Sequence, residues 1–271
     1  MPEITFSVLL PIYYRENPKF LQLALESLVN QTLPANEIVI VKDGPLNEEL
    51  DQMIDSFSEK LPLKIVPLAK NVGLGEALSI GISHCSYEFI ARMDADDYCV
   101  PERFEKQVRV FQENPDLDIL GSYLKEFVNE PGDLEVIRKV PLTHSEIYSY
   151  TFYRCPFNHP SVMFKKSAVL GVGSYQRMPF FEDYYLWIRM ANGNCKFQNL
   201  GEVLLYFRIG NNMIRRRHGL EYAKHEISFF TYCYQNGLIT LSQLMRFYSR
   251  FPIRLLPVPI LKKFYDLILR K

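Results

Sequence analysis

Ile90-Ala91-Arg92-Met93-Asp94-Ala95-Asp96-Asp97 is an apolar run that stops abruptly and is followed by three carboxylates within four residues. Side chains alternate along a strand with period two, so Asp94 and Asp96 would leave a strand end pointing the same way. Two such carboxylates can hold a hard divalent cation and leave positions open for phosphate oxygens. Aspartate also favours turns, so a solvated turn at the strand end is the competing reading of the same residues.

The residues upstream decide the fold. Ile4 to Ile12 is a nearly all-apolar run containing Pro11, the mark of a strand buried on both faces. Asn17-Pro18 then opens a helix, with Phe20, Leu21, Ala24, Leu25, Leu28 and Val29 at helical spacing. Glu37 to Val41 is a second buried strand ending in the turn Lys42-Asp43-Gly44-Pro45, and Leu46 to Ser58 is amphipathic. Leu63 to Pro67 is a third strand, and Asn71-Val72-Gly73-Leu74-Gly75 leads into a helix reaching about Cys85. Tyr87 to Met93 is the fourth strand, which delivers the acids.

Repeated strand–helix units predict a doubly wound, mostly parallel α/β sheet with helices on both faces. In such sheets ligands gather beyond the carboxyl ends of the strands. Pro11 to Tyr13, Asp43 and Asp94 to Asp97 all fall at those ends, which favours a functional cluster over an incidental turn. Gly73-x-Gly75 lacks the third glycine of a dinucleotide fingerprint and reads as a helix entry that needs close backbone approach.

At 271 residues the chain can bury a full core. Lys plus Arg and Asp plus Glu number 31 each, so no global field recruits nucleic acid. Five scattered cysteines without a Cys-x-x-Cys pair point to reduced thiols, not to a disulfide frame or zinc. The start, Met1-Pro2-Glu3-Ile4-Thr5, has no basic region or cleavage site of a signal peptide. No segment offers eighteen uninterrupted apolar residues, so no transmembrane helix is expected.

Downstream, Pro101 opens a helix (Phe104, Val108, Phe111) that ends near Asn114-Pro115. Ile119 to Val128 and Leu134 to Val140 alternate like a strand pair around Glu130-Pro131-Gly132-Asp133. Asn158-His159 precedes an apolar strand and stands either beside a substrate or as a capped loop with a packed imidazole. Glu182 and Asp183 occupy the first turn of a further helix, where complementing the helix dipole would be reason enough for them, worth ~0.3–1 kcal/mol. Tyr184 and Trp187 on that helix read as core. Phe197 to Arg208 reads as two short closing strands around Gly201. Residues 1–210 are thus taken as one catalytic domain and 211–271 as a basic, apolar helical extension. From Arg246 to Lys271 seven Lys/Arg face a single acid, Asp266, with Leu, Ile, Phe and Tyr between them. Segments of this kind lie on anionic membrane surfaces.

The chain resembles bacterial family 2 glycosyltransferases of the GT-A fold, of the type that assembles O-antigen and exopolysaccharide repeat units such as amylovoran. The matching stretches, in the family's order, are Ser7 to Tyr13, Glu26 to Thr32, Glu37 to Pro45, Asn71 to Gly75, Ala91 to Asp97 and Phe181-Glu182-Asp183. The resemblance implies that Pro11 and Tyr13 flank a nucleotide base, with Glu16 nearby, and that Asp43 hydrogen-bonds the uracil. It places Asp94 at the donor's ribose or phosphates, and Asp96 on Mg²⁺ or Mn²⁺. Asp183 is then the catalytic base, supported by Glu182. Many relatives carry an Arg in the helix after the Asn-x-Gly motif where this chain has Leu78, so the phosphate contact must come from elsewhere, with Arg92 and the Arg215-Arg216-Arg217 run as candidates. The implied reaction is inverting transfer of glucose or galactose from a UDP-sugar to a sugar on polyprenyl diphosphate, at the cytoplasmic face of the inner membrane. A nucleotidyltransferase, or a sugar-nucleotide-binding subunit without catalysis, would share the sheet. The first would announce itself by a Gly-rich basic loop, and Pro11-Ile12-Tyr13-Tyr14-Arg15-Glu16 stands there instead.

Overall fold

The computed structural model describes residues 4–209 and 219–254. Its strands are β1 (Phe6–Ile12), β2 (Glu37–Lys42), β3 (Leu63–Pro67), β4 (Phe89–Arg92), β5 (Tyr98–Cys99), β6 (Ile119–Phe127), β7 (Ile137–Arg138), β8 (Met163–Lys165) and β9 (Phe197–Arg208). They form one sheet in the order β3-β2-β1-β4-β8-β6-β9-β5, with β7 paired to β6. β1 runs parallel to both β2 and β4, and β2 parallel to β3. β8 is antiparallel to β4 and β6, while β6 and β9 are parallel. Chain order therefore reverses at β1, which opens a crevice beyond the carboxyl ends of β1 and β4.

The helices up to residue 192 are α1 (Pro18–Val29), α2 (Glu48–Asp55), α3 (Leu74–His84), α4 (Arg103–Glu113), α5 (His144–Thr151), α6 (Lys166–Gly171) and α7 (Glu182–Asn192). α1 begins as its sequence requires: Asn17 accepts the Lys19 N–H at 2.9 Å and Pro18 occupies the first turn.

The buried strands alternate between two cores. Leu9, Val39 and Val41 face the cluster that contains α3 and α7, whereas Val8, Leu10, Ile38 and Ile40 face the one built with α1, α2 and α4. This two-sided burial is what the continuous apolar runs predicted. Helices Gly219–Gln235 and Leu241–Tyr248 join the first core through Phe229, Phe230 and Phe247. Phe229 stacks on Phe181 at 4.7 Å between ring centroids. That aromatic contact fixes the residue just ahead of Glu182 and Asp183.

Two elements differ from the sequence reading. Phe197 to Arg208 is one strand, not two. Its pairing with β6 shifts register around Ser122–Tyr123, and the irregularity absorbs Gly201 without breaking the strand. β4 ends at Arg92, so Asp94 to Asp97 lie on a turn beyond it and are not on an extended strand. The segments Asn211–Arg217 and 255–271, and with them Arg215-Arg216-Arg217 and most of the basic tail, fall outside the described residues.

Candidate active site

Parallel pairing brings three chain ends to one edge. The Asp43 N–H donates to the Ile12 carbonyl at 2.7 Å and the Met93 N–H to the Leu9 carbonyl at 3.0 Å. Pro11, Tyr13 and Glu16 at the end of β1, Asp43 after β2 and the acids after β4 are therefore neighbours. Tyr13 is exposed, and its ring meets that of Tyr14 edge-on with 6.0 Å between centroids.

Asp43 is buried and already engaged. It accepts the backbone N–H groups of Val72 at 2.6 Å and Gly73 at 3.1 Å, and the Asn71 side-chain amide at 3.0 Å. A carboxylate offers about four acceptor positions, so one remains for a further donor. Asp43 thus shapes the Asn71–Gly75 loop. Gly73, at φ +91°, takes a backbone conformation that side chains resist. A Cβ on Gly75 would sit 2.8 Å from Glu182 Cγ and 2.9 Å from the Gln176 carbonyl. The glycine is what lets α3 meet the first turn of α7. Gly75→Ala is expected to lower stability by ~1–3 kcal/mol in a denaturant titration and to reduce activity together with it, because the backbone carbonyl cannot swing away.

The acidic turn has an internal order that the sequence does not reveal. Asp94 pairs with Arg92, which is almost wholly buried. Asp97, read as a cap for the following turn, is instead fully buried, and its Oδ1 accepts the Arg208 N–H at 2.9 Å. Arg208 also donates to the Asp96 carbonyl at 3.0 Å and stacks over Phe20, with 3.8 Å from guanidinium to ring centroid. β9 therefore clamps the turn. Asp94, Asp96 and Asp97 each direct one carboxylate oxygen to a common point, all within 4.8 Å of one another. Burial, then the Asp94 charge, pushes Asp96 up to about 6, and the same two causes with Asp96 added raise Asp97 well above the usual carboxylate range. Asp97 Oδ2 is buried with no hydrogen-bond partner among the described residues. Desolvated, mutually repelling carboxylates with an unsatisfied oxygen form a donor set that a hard divalent cation relieves, so the residues present fit Mg²⁺ or Mn²⁺.

Arg92 is the second feature. Its Nη2 holds Asp94, while Nε and Nη1 have no partner among the described residues. A buried guanidinium with unmet donors is expensive unless an anion or water completes it. Leu78 is fully buried in the core and offers no charge here.

Asp183 lies in the first turn of α7. Its Oδ1 accepts the Tyr184 N–H at 2.7 Å, and the Cys155 thiol lies 3.7 Å from its Oδ2. Phe180, at φ +71°, turns the chain sharply just before this helix, a strained backbone held by ring contacts to Tyr222 and His225. Tyr175 joins the two acidic sets, since its buried hydroxyl feels the charges of Arg92, Asp183 and Asp94. That hydroxyl lies 2.8 Å from His159 Nε2, and burial and the Arg92 charge keep His159 neutral. His159 is therefore a packed imidazole between Tyr175 and Trp187, and Asn158 ties its loop to the Ser122 and Arg138 carbonyls. Both residues are explained by packing. Trp187 and Tyr184 are buried, as their helix face predicted.

Glu182 is pushed up to about 7, chiefly by burial. Its folded form holds a proton more tightly than the unfolded chain, so the stability it contributes is full below about 4.5 and lost as pH rises through about 7. Glu182→Gln removes this dependence. The variant should gain ~2 kcal/mol relative to the parent between pH 5 and pH 8, the part of a shift from 4.5 to about 7 that falls in that window, read from urea unfolding at both pH values.

Comparison with known proteins fits this geometry. Residues 7–171 match the model of Glycosyl transferase family 2. The chain belongs to that family. It is 40% identical over 264 residues to the amylovoran biosynthesis glycosyltransferase AmsE of Erwinia amylovora, covering 96% of this chain and 98% of that protein. It is 36% identical to the UDP-Gal:alpha-D-GlcNAc-diphosphoundecaprenol beta-1,3-galactosyltransferase of Escherichia coli, covering 98% and 97%. The fold matches S. aureus TarS, residues 1–349 in complex with UDP-GlcNAc, with a TM-score of 0.69 over 93% of this chain and 72% of TarS at 18% identity. The sheet is accordingly that of a GT-A glycosyltransferase.

Proposed function

We propose that this family 2 glycosyltransferase is an inverting, metal-dependent hexosyltransferase. It would move glucose or galactose from a UDP-sugar to a sugar on polyprenyl diphosphate, at the cytoplasmic face of the inner membrane, in exopolysaccharide or O-antigen assembly. The observation that supports the reading is a pair of separate acidic groups, the Asp94, Asp96 and Asp97 cluster and Asp183, with the charges of Asp94 and Asp183 both felt at the Tyr175 hydroxyl. The galactosyltransferase relative, by its name, takes UDP-Gal and a GlcNAc-diphosphoundecaprenol.

Asp96, with Asp94 and Asp97, would hold Mg²⁺ or Mn²⁺ at the donor's diphosphate, where such an ion neutralises charge developing on the leaving group. Pro11 and Tyr13 flank the uracil, with Glu16 at the same chain end, and the remaining acceptor position of Asp43 takes the uracil N–H. Arg92 directs its unmet donors to the phosphates, the role that Leu78 cannot fill. Asp183 accepts the proton of the acceptor hydroxyl as that oxygen forms its bond to the anomeric carbon and UDP departs from the opposite face. Glu182 supports the base by packing on Gly75. One displacement inverts the centre, so an α-linked donor gives a β-glycoside.

The test is transfer itself. The full chain is incubated with Mn²⁺, each of several UDP-sugars and a synthetic GlcNAc-diphosphate-lipid, and products are weighed by mass spectrometry. A hexose adduct from UDP-Gal or UDP-Glc is expected. Adducts from no UDP-sugar, or pyrophosphate release from a nucleoside triphosphate, would contradict the proposal.

A further inference from the structure

A groove of about 480 Å³ runs along α5, lined by Pro141, Glu146, Ser149, Tyr150 and Tyr153. Apart from Glu146 and Ser149 its walls are rings and a proline. Glu146, at one end, is committed: its carboxylate accepts the Thr143 N–H at 3.0 Å, the Thr143 hydroxyl at 2.8 Å and the Leu142 N–H at 3.3 Å. The opposite end is cationic. Arg246 lies over the Tyr153 ring, 4.0 Å from its centroid, and Arg250 reaches the Tyr153 carbonyl through Nη2. The carbonyls at the end of α5 are spoken for as well, Tyr150 by the N–H groups of Tyr153 and Arg154 and Thr151 by the Tyr184 hydroxyl. Their partial negative charge is thereby blunted.

The cationic end adjoins the catalytic wall. Tyr153 precedes Cys155 by two residues, at most about 7 Å of chain, and the Cys155 thiol is 3.7 Å from Asp183 Oδ2. The Arg246 guanidinium beside an apolar groove complements a molecule that joins a diphosphate to a hydrocarbon. A guanidinium over a ring also keeps its N–H edge directed outward for phosphate oxygens.

We propose that this groove seats the diphosphate and the first isoprene units of the polyprenyl-linked acceptor, with Arg246 on the diphosphate. The inference rests on the lipid-linked acceptor of the preceding section, and its test does not require transfer. Farnesyl diphosphate and inorganic pyrophosphate are titrated calorimetrically into the full chain with UDP and Mg²⁺ saturating, so that the donor site is filled. Farnesyl diphosphate should bind, and more tightly than pyrophosphate. Arg246→Glu should weaken both roughly tenfold or more. Ser149→Trp, which fills the groove from an exposed helix position, should weaken farnesyl diphosphate and leave pyrophosphate unchanged. Circular dichroism and UDP binding should match the parent in both variants. The proposal is overturned if UDP abolishes farnesyl diphosphate binding, if pyrophosphate binds as well as farnesyl diphosphate, or if both variants bind it like the parent. Transfer with unchanged farnesyl diphosphate binding in both variants would refute the groove alone. Groove binding without transfer from any UDP-sugar would refute the reaction alone.

Discussion

Asp183→Asn is expected to lower transfer by about 10²–10⁴-fold, the usual contribution of a positioned general base. The substitution keeps the side chain's shape, and its carbonyl oxygen still accepts the Tyr184 N–H that Asp183 Oδ1 accepts at 2.7 Å. What it loses is a site for the acceptor's proton. The loss should fall on kcat, with the KM for the UDP-sugar and the melting temperature close to those of the parent. A loss of less than about tenfold would move the base elsewhere.

The second large effect belongs to the acidic turn. Asp96→Ala should abolish cation-dependent binding of UDP and reduce transfer on the order of a thousandfold, since charge neutralisation at a leaving diphosphate is worth several kcal/mol. Asp96 is chosen over its neighbours for a structural reason. Asp97 holds the Arg208 N–H and Asp94 holds Arg92, so changing either alters the clamp or the buried guanidinium as well as the cation site. Calorimetry of UDP with and without Mn²⁺ separates the two acidic groups. Asp183→Asn should retain the Mn²⁺ enhancement and Asp96→Ala should lose it. Equal enhancement in both variants would remove Asp96 from the cation.

Much of this was legible in the sequence because it depends on local pattern. Strands buried on both faces leave continuous apolar runs, and doubly wound sheets put their ligands at strand ends, so Asp43, Asp94 and Asp96 could be placed at one edge from spacing alone. What stayed hidden depends on contacts between residues far apart in the chain. Arg208 and Asp97 are 111 positions apart, and nothing near either residue announces that β9 clamps the acidic turn. Arg208 had one trace, an arginine closing the apolar run Val203 to Phe207. The same holds for Cys155, which reads as one more scattered thiol until α5 and α7 are docked. The period-two argument for Asp94 and Asp96 also misplaced them, for they converge through a turn beyond Arg92. Leu78 shows the converse. A sequence can reveal that an expected charge is missing, and only the fold shows that Arg92 is buried with two donors unmet among the described residues.

The account stands on one acidic group serving the donor and the other serving the acceptor, on opposite faces of the reacting carbon. The anomeric configuration of the product tests this most directly. The disaccharide made from an α-linked UDP-hexose and a synthetic GlcNAc-diphosphate-lipid is released and its anomeric proton read by NMR. A large diaxial coupling, the signature of a β-linked galactose or glucose, is the predicted result. A small coupling, from an α-linkage formed with retention, would contradict a single displacement by a hydroxyl activated at Asp183.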